Sequence, residues 1–365
     1  MDKTEEIVNS LKQNLEKIDN NDFSIYFFVI DTKGAPMGSV ANIYEHVKIL
    51  TEMGFKASIL HEKNEYTQKQ QPFINTWLGT EYGELPHSSI EDQSIKIGAT
   101  DFIIIPELFA NVMEQTATLP GKRIVFCQSY DYITETLQPG KSWKDYNITD
   151  CITTTENQKE YIENLFNNGI KVKVVPVGVD ERFQEPTKPK KPIINIFTKD
   201  QRDTVKIFKT FYLKFPHLKW VTFRDMRSMD KNTFAKAMAE SCLSIWVDDI
   251  GGFGTFPLES MKSGTPVIGK IPNLANGWMG EKNGIWVDTI NMIPDLASQY
   301  IQAWLEDNQP KEMLEAMKET VSKYTIETQK TAIEEVYKTL ISERRTEVET
   351  ALSKYEVDNV EEKNN

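Results

Sequence analysis

Between Phe23 and Val179 the chain alternates short apolar runs with longer stretches of helical periodicity. The runs lie at 25–30, 56–60, 101–105, 123–127, 150–154 and 171–175. They have the length of strands and show no polar alternation, so both faces of their sheet are covered. Such runs, separated by helical segments such as Val40–Met53, predict a parallel, doubly wound sheet. The segment Glu185-Pro186-Thr187-Lys188-Pro189-Lys190-Lys191-Pro192 breaks the alternation, and its prolines make a semi-rigid connector. Beyond it the pattern restarts with a strand at Ile193–Phe197, a helix over 204–215, a strand at Leu218–Phe223 and a helix over 231–239. Strands at 243–247, 266–269 and 285–287 follow, with a helix at 256–261. The pattern therefore predicts an N-terminal helix over 1–22, one Rossmann-like unit over 23–185, a linker at 186–192 and a second such unit over 193–326. Ile7, Leu11, Leu15 and Ile18 form one apolar stripe on the first helix, too short for a stable zipper and suited to packing on its own domain. A last helix is expected over 327–354, followed by an acidic tail, 355–365, expected to be disordered.

Composition narrows the class. At 365 residues with 39% hydrophobic side chains, the chain suits two packed domains. No apolar run approaches the ~20 residues that span a bilayer, and the first residues are polar and acidic, so a cytoplasmic protein is expected. Cys127, Cys151 and Cys242 are odd in number and lie in or beside apolar runs, which predicts buried free thiols. A net charge of −12 argues against broad nucleic-acid binding but leaves room for a local basic pocket. His46, His61, His87 and His217 show no metal-ligand spacing.

The richest chemistry follows the strand Leu243–Val247. Gly251, Gly252 and Gly254 let backbone approach a ligand, and the helix that starts near Phe256 carries Pro257 in its first turn, where its missing N–H removes no helical bond. A strand, a glycine loop and a helix N-terminus aim free N–H groups at one spot, which suits phosphate. Glu259, in the first turns of that helix, is able to accept hydrogen bonds from sugar hydroxyls.

Gly252-Phe253-Gly254, Pro257, Glu259 and Gly264-Thr265-Pro266-Val267-Ile268 resemble the nucleotide-sugar loop of retaining GT-B glycosyltransferases of the family 4 group. Val174-Val175-Pro176-Val177-Gly178-Val179-Asp180 is similar to that family's segment before the inter-domain linker. The strand Ile25–Ile30 with its glycine-bearing turn Gly34–Ser39 is similar to the family's opening. The resemblance implies two Rossmann-like domains facing a cleft, the first on the acceptor side and the second on the nucleotide-sugar side, with the last helix crossing back. It implies that Glu259 holds the ribose. The family's first glutamate is absent, since its place is Gly251, and the nearest carboxylates are Asp248 and Asp249.

Lys199 and Arg202 follow the first strand of the second unit, where two cations are placed to neutralise a departing diphosphate. With Asp249 and Glu107 they form the catalytic candidates. Gly38, Ser39, Thr198, Arg224, Gly252, Phe253, Gly254, Thr255 and Glu259 form the donor-binding set, Arg224 lying where the family seats the base. Gln128, Ser129 and Tyr130, after the strand at 123–127, are candidates for acceptor or sugar hydroxyls. A plain turn at Gly38-Ser39, a surface ion pair at Arg224 and ordinary loop roles for Glu107 and Gln128 are the competing readings. Trp77, Trp143 and Trp278 suit either sugar stacking or loop packing. The resemblance implies a metal-independent transfer from a nucleotide-diphosphate sugar to a hydroxyl acceptor, whether glycan, lipid-linked or small molecule, with retention and without a cofactor. A non-catalytic GT-B module that binds glycan or nucleotide is the alternative, and a sugar-nucleotide epimerase a third.

Overall fold

The computed structural model describes residues 3–67, 74–250, 253–274, 277–280 and 282–363. Seven strands build the first sheet: β1 Ser24–Phe28, β2 Lys56–His61, β3 His87–Ser89, β4 Phe102–Pro106, β5 Lys122–Cys127, β6 Asp150–Thr153 and β7 Lys171–Val174. Their order is β3-β2-β1-β4-β5-β6-β7, and every pairing is parallel. The second sheet comprises β8 Lys191–Thr198, β9 Thr222–Asp225, β10 Ser241–Val247, β11 Val267–Lys270 and β12 Ile285–Val287. It is parallel throughout, in the order β12-β11-β10-β8-β9. The helices in chain order are α1 Lys3–Asp19, α2 Gly38–Glu52, α3 Ala110–Gln115, α4 Asp131–Thr136, α5 Glu156–Leu165, α6 Gln201–Lys214, α7 Lys231–Glu240, α8 Thr255–Lys262, α9 Ile293–Leu305, α10 Lys311–Val321 and α11 Ile326–Lys363.

The apolar runs become strands because both sheet faces are covered. Every residue of β4, β6 and β10 is buried. Three expectations need correction. The strand expected at Leu218–Phe223 begins only at Thr222, since Pro216–Leu218 forms a 3₁₀ turn that sinks Leu218 into the core. β3 was not anticipated, because His87-Ser88-Ser89 has no apolar signature; it pairs with β2 through its backbone and through the His87–His61 side-chain contact. The tail expected to be disordered continues α11 to Lys363; it contains neither glycine nor proline, so an anchored helix propagates through it.

α11 returns from the second unit to the first. Its Ile333, Val336, Tyr337 and Leu340 share one core with Ile25, Phe27, Tyr44 and Ile124. Lys173 meets Glu343 at 3.1 Å, and Arg344 Nε donates to the Ala99 carbonyl at 3.0 Å. α1 leans on this helix through Lys12–Glu356 at 3.4 Å and an Arg345–Asp19 ion pair. At the crossing, Val179 N donates to the Tyr324 carbonyl at 2.9 Å. Gly178 lies so close that a Cβ there would stand 2.7 Å from the Thr325 carbonyl oxygen and 2.8 Å from Ile326 Cα. Both are backbone atoms and cannot swing aside. Gly178→Ala is therefore expected to cost about 1–3 kcal/mol by overpacking. Chemical denaturation checks this, and an unchanged midpoint would show that the crossing relaxes freely. Among the described residues no helix is long and apolar enough to cross a membrane.

Candidate functional site

The carboxyl ends of the two sheets meet at one cleft, where binding sites of doubly wound sheets lie. Contacts cross it directly. Ser129 Oγ donates to the Ile250 carbonyl at 3.2 Å, and Lys199 Nζ to the Tyr132 hydroxyl at 3.4 Å. Lys231 Nζ reaches the Tyr82 hydroxyl at 3.4 Å.

Two helix N-termini converge here. α8 starts at Gly254, whose φ of +79° is left-handed and whose Cβ would lie 2.8 Å from Met279 Cε and 3.1 Å from Trp278. Only glycine fits that position. Phe253 is buried beside Tyr324, and Trp278 Nε1 donates to its carbonyl at 3.1 Å, so the loop is anchored from below. α2 starts at Gly38, where a Cβ would stand 3.4 Å from Thr255 Oγ1. Neither helix has a side-chain cap at its N-terminus. The leading N–H groups of both, and the positive ends of both dipoles, are thus directed at the same gap.

Glu259 lies one turn inside α8. It is half-buried, and no hydrogen bond or ion pair reaches its carboxylate among the described residues. Burial pushes its pKa up to about 7, which the Lys231 ammonium opposes and Asp180 reinforces. Lys231, at the start of α7, is held by Asp180 at 2.8 Å. Burial would raise the Asp180 carboxyl, but Arg182 and Lys231 outweigh it and hold the group well below the usual carboxylate range. Arg182 also pairs with Glu81 at 3.3 Å, and the Tyr82 hydroxyl bonds Glu45 of α2. These groups knit the first unit to the second beside Glu259.

Lys199 and Arg202 are not brought together. Lys199 extends across the cleft, whereas the Arg202 side chain is 91% exposed and folds back onto Asp200, the N-cap of α6, at 2.5 Å. Thr198 is buried and bonds Thr204 and the Asp200 carbonyl, both at 2.6 Å, so it shapes the loop carrying Lys199. Arg224, expected either at a nucleotide base or in an ion pair, is engaged in an ion pair. Its guanidinium reaches the Ala237 carbonyl at 3.2 Å and Glu240 at 3.3 Å, at the C-terminal end of α7. Asp249 is exposed and paired with Lys270. Asp248 instead is half-buried, and burial raises its pKa against the pull of Lys199. Gly251 and Gly252 lie outside the described residues.

On the first-unit wall, Glu107 is only 3% exposed. One carboxylate oxygen accepts the Ser129 N–H at 2.8 Å, and the other has no partner among the described residues. Burial pushes its pKa to about 7, with N–H donors at Gln128 and Ser129 opposing. Glu107 thus braces the loop from beneath. Gln128 is also a brace, because its amide accepts from Asn42 at 2.9 Å and donates to the Ser39 carbonyl at 3.0 Å. The chain of bonds continues from Gln329 to Asn42 at 2.9 Å and from Gly178 N to Gln329 at 3.0 Å, tying the cleft wall to α11. Tyr130 is buried with its ring 5.0 Å from that of Tyr161. Gln128 and Tyr130 therefore pack within the wall, and Ser129 closes the cleft through Ile250. Trp143 and Trp278 are buried, Trp143 against Phe166 and Trp278 against Trp286 and Tyr324.

Sequence reasoning missed Lys231, Asp180 and Tyr82 as cleft residues, and no spacing rule joins them. It also missed a line of bonds at the ends of β1, β2 and β3. Asp31 meets His61 at 2.6 Å, His61 meets His87 at 2.8 Å, and His87 reaches the Tyr82 carbonyl at 3.1 Å. Burial lowers the His87 pKa to about 4. All three cysteines are buried and free. Among the described residues no group of three or more His, Cys, Asp or Glu is arranged to hold a metal ion.

No family model matches the chain. It is 25% identical over 286 residues to an alpha-1,6-glucosyltransferase of Actinobacillus pleuropneumoniae serotype 7 (strain AP76), covering 72% of this chain and 80% of that protein. Among solved structures it is similar to a sucrose-phosphate synthase from Thermosynechococcus elongatus, with a TM-score of 0.60, 12% identity, and 88% of this chain matched to 99% of that one. It is also similar to the pneumococcal O-GlcNAc transferase GtfA in complex with UDP and GlcNAc, with a TM-score of 0.61, 11% identity and the same coverage of 88% and 99%. The two parallel, Rossmann-like units and the cleft between them are thus the GT-B-type α/β fold.

Proposed function

We propose that this protein is a glycosyltransferase that moves a sugar from a nucleotide-diphosphate donor to a hydroxyl acceptor. The observation that carries the proposal is the meeting of two uncapped helix N-termini, at Gly38 and Thr255, beside Glu259, whose carboxyl no hydrogen bond or ion pair reaches among the described residues. A diphosphate suits the first feature and ribose hydroxyls suit the second. Lys199 approaches the same cleft as a mobile point charge for the leaving group. The similarity to an alpha-1,6-glucosyltransferase supports the same reading.

In the transfer, the bond between the anomeric carbon and the diphosphate oxygen breaks, and its electron pair remains on that oxygen. Helix N–H groups and Lys199 stabilise the charge as it develops. The acceptor oxygen bonds the anomeric carbon and loses its proton to the departing phosphate. Retention of configuration belongs to this proposal and rests on the resemblance of residues 252–268.

A binding module without catalysis is the second reading, favoured by Gly251 in place of a carboxylate. Incubation with a panel of nucleotide sugars, with nucleotide diphosphate release as the readout, separates the two. Release with at least one donor is expected. Tight binding of donors without release, whatever acceptor is supplied, would leave only the binding module.

A further inference from the structure

The pair Asp248-Asp249 ends β10, and its two carboxylates point to different surroundings. Asp249 is exposed and engages Lys270 of β11. Asp248 turns inward. Its Oδ1 accepts the Ile250 N–H at 3.2 Å, and no other bond to its carboxylate occurs among the described residues. Next to it, Lys199 N donates to the Val247 carbonyl at 2.8 Å, so the ends of β8 and β10 present Lys199 and Asp248 side by side. The opposite wall is formed by Ser129, whose Oγ bonds the Ile250 carbonyl, and by Tyr132, which meets Lys199. The carboxylate is half-buried at this junction, where burial works against its charge, Lys199 supports it, and Asp249 and the first unit's Asp131 oppose it.

We propose that Asp248 binds hydroxyls of the transferred sugar and so sets which donor is used, the part that resemblance gives to a glutamate where this chain has Gly251. The inference rests on the glycosyl-transfer reading above. A sugar attached to a diphosphate at the α8 N-terminus leaves that terminus toward the first unit, where the end of β10 forms one wall. A carboxylate there is chemically suited to accept hydrogen bonds from sugar hydroxyls. The Lys199 ammonium beside it favours the ionised, accepting form against the effect of burial. Asp249, held outward by Lys270, is not placed for this.

The role predicts a specific pattern in binding. Calorimetry with UDP-glucose against UDP, and ADP-glucose against ADP, isolates the sugar's share of affinity, and the pair that binds the wild type most tightly is carried forward. Asp248→Asn keeps shape and removes charge. It is expected to weaken the sugar nucleotide by about 10-fold while leaving the bare diphosphate unchanged. Asp248→Glu is expected to restore part of the loss. Glu259→Ala, by contrast, weakens both ligands together. The proposal is overturned if folded Asp248→Asn binds both ligands as the wild type does, or if Asp249→Asn produces the selective loss instead. Failure of glycosyl transfer shows separately, as absent diphosphate release in the wild type, and the affinity ratio still decides Asp248.

Discussion

Glu259→Ala is expected to lower nucleotide affinity by about one to two decades while the protein remains folded. Charge-assisted hydrogen bonds contribute roughly 1.5–3 kcal/mol each, and ribose hydroxyls have no other carboxylate within α8 to bond. The same group gives the binding a pH dependence of defined sign. In the free protein the carboxyl titrates near 7, because burial resists its charge. Ribose hydroxyls donate to the ionised form, so affinity should rise from pH 6 to pH 8 and level off above about 7. Glu259→Gln should bind more weakly at pH 8 and lose that slope. Stability moves the other way. Glu259 and Glu107 both have folded pKa values raised to about 7, so protons are retained in the folded state after the unfolded chain has released them. Their contribution to stability is complete below the ordinary glutamate pKa and is lost as pH rises through about 7. Replacing Glu107 by Gln should therefore reduce the fall in denaturation midpoint between pH 5 and pH 8. Unchanged nucleotide affinity in folded Glu259→Ala would remove Glu259 from the site.

Much of the fold was legible because burial on both faces leaves a simple trace. The runs at 56–60, 123–127 and 150–154 became β2, β5 and β6 nearly to the residue. β3 left no trace, since three backbone-paired residues at a sheet edge need no apolar side chains. The glycine loop was legible for a local reason: Gly254 needs a left-handed backbone and no Cβ, and both demands act on one residue. Direction was not legible. Lys199 and Arg202 read as a matched pair of cations, but Asp200 caps α6 and captures Arg202, leaving only Lys199 over the cleft. Asp249 read as the catalytic candidate of the Asp248-Asp249 pair, but Lys270 of the neighbouring strand engages it. Gln128 looked free for a substrate, yet its amide is tied to Asn42 and Ser39, residues nearly ninety positions away. Such choices depend on tertiary partners, which spacing along the chain does not encode.

Lys199→Ala is expected to lower kcat by about 100-fold, toward the small end of the range for removing one group that stabilises developing charge. The modest figure follows from its exposure, which leaves water to screen the ammonium. Charge on the diphosphate grows as the glycosidic bond breaks, so the lysine acts more on the transition state than on the bound donor. Donor affinity should therefore fall much less than turnover. Arg202→Ala should change both far less, because its guanidinium is already paired with Asp200 in solvent. Lys199 also contacts Tyr132 across the cleft, so part of the effect could come from a looser closed state. Tyr132→Phe separates the two causes: it removes the hydroxyl partner while leaving the ammonium in place. If Tyr132→Phe keeps most of the activity that Lys199→Ala loses, charge at the leaving group is the cause. If Lys199→Ala raises KM with kcat unchanged, the lysine serves binding alone and the leaving-group role fails.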